Sequence, residues 1–467
     1  MKIRILPFIA ATMILAGTFM SSCLKNDYEE IEYPSASSIK SFSLGTLYQT
    51  IYKGGSKGQD TIDTISYAKY PFIIDQINRR IYNVDSLPKG VDISKAVVSI
   101  TADGDIVYKN KNDKDTLWTK GDTLDLTNGI SLKVYTYSPV YKDFRPGKPY
   151  AVTVNVHKYN PDSLVWKHYD NVSFTALSEQ KAVFADKNIY VFGKEGSNVK
   201  VYKLAVNKGY IEGTWEGKSQ NLPSGININS VLAYNNKVYY VAGGKLYQLD
   251  NNTSIGNLDN LSSLISVSNG AMLAYQNDGN IIAINEAGER LYDSGRFEEG
   301  EAGYDFNSRF FAISYPAEHN NSLWRTTVMS NNPGTATTDS TANVYSYISS
   351  DSHWIKMTPN NPATCPDVDN ISMIKYNGKL YAFGGKKGDK IKAFESFYNS
   401  DNNGFDWRKE AEDGYMIFDS EIAEYYNNKP YSCVVETDSE GKESFIWFVW
   451  YDGNVTRGHL NKFAPKN

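Results

Sequence analysis

Tyr376-Asn377-Gly378-Lys379-Leu380-Tyr381-Ala382-Phe383-Gly384-Gly385 decides the fold. Asn-Gly is a turn dipeptide, the residues after it form a short alternating apolar strand, and the Gly pair lets a second backbone approach closely. The unit recurs as Tyr234-Asn235-Asn236-Lys237-Val238-Tyr239-Tyr240-Val241-Ala242-Gly243-Gly244, and in shorter form as Asp186-Lys187-Asn188-Ile189-Tyr190-Val191-Phe192-Gly193. Self-similarity at a period of roughly 40–50 residues, carried by strands without helices, predicts a β-propeller. Everything after about residue 160 is built from this unit.

The composition agrees. Among 467 residues there are 35 Tyr, 20 Phe and 8 Trp, which favour strands. Asn-Gly, Asp-Gly and Gly-Gly dipeptides punctuate them, and no long amphipathic helical pattern occurs. The class is all-β. The 53 acids outweigh the 48 bases for a formal charge of −5, and no basic cluster stands out. Nucleic acid is therefore not expected as a partner, because nothing would neutralise its phosphates. Five His argue against a His-rich metal site.

The first residues carry an address. Lys2 and Arg4 form a charged start, and Leu6 to Phe19 form an apolar stretch of signal-peptide length, too short to span a bilayer. Met20-Ser21-Ser22-Cys23 follows. It resembles a bacterial lipobox, with Met20 in place of the usual Leu, and implies a signal peptide over residues 1–22 and lipidation of Cys23. The polar, acidic Leu24-Lys25-Asn26-Asp27-Tyr28-Glu29-Glu30 looks like the stretch that sends Bacteroidota lipoproteins to the outer cell surface. The expectation is a tether over residues 23–32 and a protein held on the outer membrane by its lipid, facing the exterior. The other two cysteines, Cys365 and Cys433, fall in different expected blades, which favours buried free thiols over a disulfide.

Residues 33–158 carry strands without the repeat. Tyr150-Ala151-Val152-Thr153-Val154-Asn155-Val156 alternates as a half-buried strand of an antiparallel sheet, and Ala102-Asp103-Gly104-Asp105 and Thr127-Asn128-Gly129 supply turns. An Ig-like β-sandwich is expected, without the Cys…Trp…Cys framework of antibody domains. Ile81-Tyr82-Asn83-Val84-Asp85-Ser86-Leu87-Pro88-Lys89-Gly90, the strand Thr153–His157 and Asn160-Pro161-Asp162-Ser163-Leu164-Val165-Trp166 together resemble a family of Bacteroidota lipoproteins of uncharacterised activity. In that family an Ig-like domain precedes a Kelch-like, galactose-oxidase-type propeller. The resemblance covers nearly the whole mature chain and implies no activity.

A Kelch blade carries strand a at the axis, b with its Gly pair, then c, then an outer d that often begins near a Trp. Residues 160–467 yield six such units. The fifth is clearest: Ile371–Tyr376, Leu380–Phe383, Lys392–Tyr398 and a d strand from Trp407. Its Ser400-Asp401-Asn402-Asn403-Gly404-Phe405-Asp406-Trp407 resembles the Asp-box hairpin of sialidase-type propellers, a turn-stabilising device. Ser349–Trp354 is a shorter relative in the fourth unit, and Trp215 takes the same place in the first. The third unit is assigned Ala271–Tyr275, Asn280–Asn285 and Arg290–Asp293. The sixth, from Tyr431, runs out of chain one strand short, while a strand around Trp166 precedes the first unit unplaced. A ring of sheets must close or expose its edges, so Trp166 is expected to supply the last blade's outer strand.

The Kelch resemblance brings two enzyme readings. A copper oxidase needs two His and two Tyr converging at the axis, but His168 falls on an outer strand, His459 on a strand c, His319 in an a–b loop and His353 in a c–d loop, so they do not converge. A sialidase needs an Arg triad and a Tyr nucleophile. Arg290, Arg296, Arg309, Arg325, Arg408 and Arg457 show no such placement, and are taken as salt-bridged surface residues. No HExxH, GxSxG or Walker loop occurs, and no cofactor is expected. Asp367-Val368-Asp369-Asn370 lacks the EF-hand register, so turn capping is favoured over calcium.

Long connections point to a ligand face. Residues 330–343, 358–370 and 410–428 are all b–c or d–a connections, which open on one face of such a propeller, in adjacent blades. Loops on a rigid scaffold are where binding residues are placed. Tyr415, Tyr425, Tyr426, Asp367 and Asp369 are the candidate ligand contacts, Tyr because it joins a flat apolar ring to a hydroxyl. The expected function is binding of a glycan or a partner protein without catalysis. The alternative is a glycan-active enzyme of the sialate-mutarotase or sialidase-like type.

Overall fold

The structure is a computed structural model that describes residues 36–51, 61–110, 112–159, 164–218, 222–251, 253–297, 305–317, 320–332, 341–351, 353–357, 363–386, 393–394, 398–400, 403–409, 420–438 and 441–463. The expected signal peptide, Cys23, the tether, His319 and Tyr415 lie outside these residues. The chain divides into two compact units with their boundary between Lys158 and Tyr159.

The N-terminal unit holds twelve strands: β1 (Ile39–Leu44), β2 (Thr46–Ile51), β3 (Thr61–Ser66), β4 (Ile73–Asp75), β5 (Arg80–Tyr82), β6 (Ala96–Ala102), β7 (Asp105–Lys109), β8 (Asp115–Leu117), β9 (Thr123–Leu124), β10 (Ile130–Ser138), β11 (Asp143–Pro146) and β12 (Tyr150–Thr153). One sheet runs β1-β6-β9 and a larger one β4-β5-β12-β10-β7-β8, with β11 also on β10; β2 and β3 form a hairpin. Alternation places Ala96, Val98 and Ile100 of β6 and Tyr150 and Val152 of β12 in one core with Leu132 and Val134. β12 pairs antiparallel with β10 and parallel with β5, a mixed arrangement that alternation alone does not reveal.

The C-terminal unit is a β-propeller. Strand β13 (Leu164–Tyr169) opens it. Antiparallel meanders of four or five strands follow. The first is β14 (Gln180–Ala185), β15 (Asn188–Glu195) and β16 (Asn198–Asn207), with β17 (Tyr210–Ile211) and β18 (Glu216–Gly217) both on β16. The second is β19 (Ile226–Tyr234), β20 (Lys237–Ala242), β21 (Lys245–Gln248) and β22 (Ser254–Ile255). The third is β23 (Leu261–Ser268), β24 (Ala271–Gln276), β25 (Asn280–Ile284) and β26 (Arg290–Phe297), and the fourth is β27 (Phe310–Ala317), β28 (Asn320–Ser330), β29 (Asn343–Ile348) and β30 (His353–Lys356). The fifth is β31 (Ser372–Tyr376), β32 (Lys379–Phe383), β33 (Tyr398–Ser400) and β34 (Arg408–Lys409). A helix α1 (Ser420–Tyr426) leads to β35 (Tyr431–Thr437), β36 (Glu443–Trp450) and β37 (Val455–Leu460). Strands β14, β19, β23, β27, β31 and β35 neighbour one another in turn, and β35 neighbours β14 again. They enclose the axis.

Closure is by the N-terminal strand. β13 pairs antiparallel with β37 from Leu164↔Leu460 to Tyr169↔Val455, completing the sheet β13-β37-β36-β35. Trp166 lies over Gly458 and meets Phe448 edge-on, with centroids 5.6 Å apart.

Turn chemistry accounts for the inner hairpins. Asn377 and Gly378 have φ of 51° and 79°, and Asn235 and Asn236 have 47° and 59°, the left-handed pair that a two-residue hairpin requires. The Gly after β32 does what the sequence implies. A Cβ on Gly384 would lie 2.6 Å from the Asp369 carbonyl oxygen and 2.7 Å from Val368 Cγ2. The alternation of β32 sorts its side chains to two covered faces instead of core and solvent. Leu380 and Ala382 join the cluster of the fourth meander, while Tyr381 and Phe383 join that of the last.

Three expectations are corrected. In the fifth meander the third strand is Tyr398–Ser400, beyond the expected Lys392–Tyr398, because the chain turns at 393–394. In the third meander the innermost strand is β23, so the strands expected as a, b and c lie one place further out. Leu261–Ser268 escapes notice because Ser262, Ser263, Ser266 and Ser268 interrupt its apolar signal, yet all four are buried. Between the fifth meander and β35 the chain forms helix α1, where a plain loop was expected.

Candidate functional site

The inner strands all begin on the face where the d–a connections arrive, and their first residues ring the axial opening. From β14 come Gln180 and Lys181, from β19 Asn227 and Asn229, from β31 Ser372, and from β35 Tyr431 and Ser432; Arg309 stands immediately before β27. Below them a channel of about 470 Å³ runs along the axis. Its wall includes Leu232, Phe311, Ile313 and Val435.

Arg309 is held at the mouth. Its Nη1 donates to the Tyr431 carbonyl at 2.9 Å and its Nη2 to Ser372 Oγ at 2.9 Å. Ser372 Oγ in turn donates to Tyr431 Oη at 2.6 Å, and Tyr431 Oη donates to the Asn370 carbonyl at 2.7 Å. The guanidinium also lies 4.8 Å from the Tyr431 ring centroid and 5.0 Å from that of Phe311. Lys181 Nζ donates to the Asn229 carbonyl and lies 4.5 Å from the Phe310 centroid. Burial pulls the Lys181 amine down to about 7, helped by the like charge of Arg309, and burial lowers Arg309 as well. Burial pushes Tyr431 up to about 12 and holds the Cys433 thiol protonated.

The two ends of the channel differ in charge. At the far end Lys375 Nζ meets Glu443 Oε1 at 2.8 Å. At the mouth, neither Lys181 nor Arg309 has a carboxylate within ion-pair distance among the described residues. Glu179 acts on Arg309 only from further off and is itself bound to Lys194. The reading of Arg309 as a salt-bridged surface arginine is therefore corrected. Arg457 is also buried, donating to the Gly209 carbonyl. The missed signal was positional: polar residues sit at the starts of otherwise apolar inner strands.

Outside the mouth lie the expected ligand contacts. Asp367 accepts from Asn331 Nδ2 at 2.6 Å and from the Asn332 amide at 3.3 Å, which ties the fourth b–c connection to the following d–a connection. Asp369 has an exposed side chain, and its carbonyl accepts from the Gly385 amide at 2.6 Å. Asn427 Oδ1, just past α1, accepts from the Lys386 amide at 3.1 Å. Space at Gly385 is bounded by both Asp369 and Asn427, so these d–a connections meet there. Tyr425 is 59% exposed, with Lys429 Nζ 3.8 Å from its ring centroid. Tyr426 is a correction. It is 2% exposed and stacks on Trp450 at 4.1 Å, because successive residues of a helix point to different sides. Its hydroxyl accepts from Asn454 at 3.0 Å, so it is core.

Cys365 and Cys433 are both buried, and neither is in a disulfide. His168 Nδ1 is 2.8 Å from Thr456 Oγ1 on the outer strand, His459 packs against Phe445, and His353 is exposed. Among the described residues no three His, Cys, Asp or Glu side chains gather as metal ligands.

A family model for the DUF6242 beta propeller domain matches residues 160–467, and one for the DUF6242 N-terminal domain, a domain of unknown function, matches residues 42–154. Among solved structures, a DUF4623 family protein from Bacteroides eggerthii is 12% identical with a TM-score of 0.30, covering 90% of this chain and 98% of its own. The WD40 domain of Toxoplasma gondii coronin is 10% identical with a TM-score of 0.36, covering 66% of this chain and 89% of its own. PorZ, a surface component of the type-IX secretion system of Porphyromonas gingivalis, is 12% identical with a TM-score of 0.32, covering 88% of this chain and 60% of its own. No curated protein matches the chain.

Proposed function

This chain belongs to the DUF6242 family, and we propose that it is a lipid-anchored outer-membrane protein whose propeller binds a glycan or a partner protein at the cell surface without catalysis. In this reading Cys23 carries the lipid, an Ig-like N-terminal domain acts as spacer, and the propeller is six-bladed and Kelch-like. The observation that carries the binding role is the meeting of the d–a connections at Gly385, which sets Asp369 beside Asn427 and leaves the Tyr425 ring exposed on a rigid rim. Loops braced on a closed ring lose little freedom when they take a ligand, which favours affinity. Tyr431 and Cys433 at the mouth are held protonated, which suits binding better than nucleophilic attack.

The test is an array of host and dietary glycans and surface proteins probed with the mature chain. Tyr425→Ala should weaken the binding found at least tenfold while the melting temperature stays unchanged. A hydrogen-exchange footprint on the a–b and c–d side would overturn the assignment. The glycan-enzyme reading has one observation in its favour, the Lys181 amine near 7, a value suited to proton transfer. Turnover of an acidic sugar that is lost in Lys181→Met would establish it.

A further inference from the structure

The axial channel combines two features that the rim does not share: cationic donors at its mouth and an apolar wall beneath. Lys181 and Arg309 bring two positive groups together in a half-buried site, and among the described residues no carboxylate lies within ion-pair distance of either, Glu179 acting on Arg309 only from further off. Arg309 Nε and Ser432 Oγ are buried there without a hydrogen-bond partner among the described residues, as is the acceptor Gln180 Oε1 on the same opening. Unspent donors of this kind call for an acceptor from outside. Below them Leu232, Phe311, Ile313 and Val435 offer only hydrocarbon. At the other end Lys375 is paired with Glu443.

We propose that the channel binds a carboxylate borne on an apolar body, with the carboxylate seated between Lys181 and Arg309 and the body lying along the apolar wall. At about 470 Å³ the cavity is within the range of small-ligand sites. Two sources share this chemistry: a free amphipathic acid, and the C-terminal residue of a peptide with an apolar side chain. The site goes beyond the rim reading and stands whether or not Tyr425 contacts a ligand.

The pH dependence follows from the groups that face the site. Lys181 on β14 titrates near 7. Arg309 before β27 stays charged, Tyr431 and Cys433 on β35 stay protonated, and Glu179 before β14 is committed to Lys194. Asn229 of β19 and Ser372 of β31 carry no charge. A carboxylate needs protonated Lys181, so affinity should fall as pH rises.

Isothermal titration of the mature chain tests this with four probes: octanoate, N-acetylphenylalanine, N-acetylphenylalanine amide and galacturonate. The two apolar acids should bind at pH 6 and at least tenfold more weakly at pH 9, with proton uptake on binding at pH 8. Preference for N-acetylphenylalanine identifies a peptide end as the source, and preference for octanoate a free acid. Lys181→Met should abolish binding while the melting temperature holds or rises, because the repulsion between two half-buried like charges is removed. Lys181→Arg should bind without the pH dependence. Equal binding of the amide, tighter binding of galacturonate, unchanged binding in Lys181→Met, or no binding of either apolar acid at millimolar concentration would each overturn the proposal.

Discussion

Ring closure by β13 makes a quantitative prediction. A fully buried Trp replaced by Ala costs about 3–5 kcal/mol. Trp166 is only half-buried, so Trp166→Ala should cost about 2–4 kcal/mol, of which the edge-on contact with Phe448 is roughly 0.5–1.5. At roughly 2.1 cal/mol/K of unfolding entropy per residue, a unit of this size should melt about 3–6 °C lower. Gly458 supplies the control. A Cβ there would come within 2.2 Å of the Trp166 ring, so Gly458→Ala overpacks the site and should cost about 1–3 kcal/mol alone. With Trp166 already Ala the added methyl has room, and its cost should fall below about 0.5 kcal/mol. Calorimetry on the wild type, both single variants and the double variant gives the coupling. Removing the chain up to Val172 goes further: β37 becomes an open edge and the protein should aggregate. Strict additivity of the two substitutions, or a truncated protein that melts like the full chain, would refute closure by β13.

Two further outcomes are expected. Burial and the charge of Arg457 hold His459 down to about 4, below its ordinary 6.5. That contribution to stability is present above pH 6.5 and lost as pH falls toward 4, up to about 3 kcal/mol. His459→Leu should flatten this acid limb in pH-dependent denaturation. Glu436 is raised by burial and acts in the opposite sense, so the variant isolates the imidazole; an unchanged limb would exclude it. Gly384→Ala should lower the denaturation midpoint by the equivalent of about 1–3 kcal/mol, since the new methyl strikes the Asp369 carbonyl. The same midpoint as wild type would mean that the fifth meander does not clamp the 363–371 connection.

What the sequence determined by itself was local or countable. Asn377-Gly378 and Asn235-Asn236 announce left-handed two-residue turns because few other residues tolerate that backbone. Gly384 announces close approach because any side chain would collide. The unplaced strand at Trp166 announced closure because a ring cannot keep a free edge. The third meander slipped by one strand where buried serines, satisfied only within the fold, looked like loop. Tyr426 looked like a surface ring until α1 turned it onto Trp450. The axial mouth was the least legible part. Lys181, Arg309, Ser372 and Ser432 are far apart in the chain and each is unremarkable where it stands. Only the circular order of the inner strands, set by long-range packing, brings them to one opening and leaves Lys181 and Arg309 without a carboxylate at ion-pair distance among the described residues.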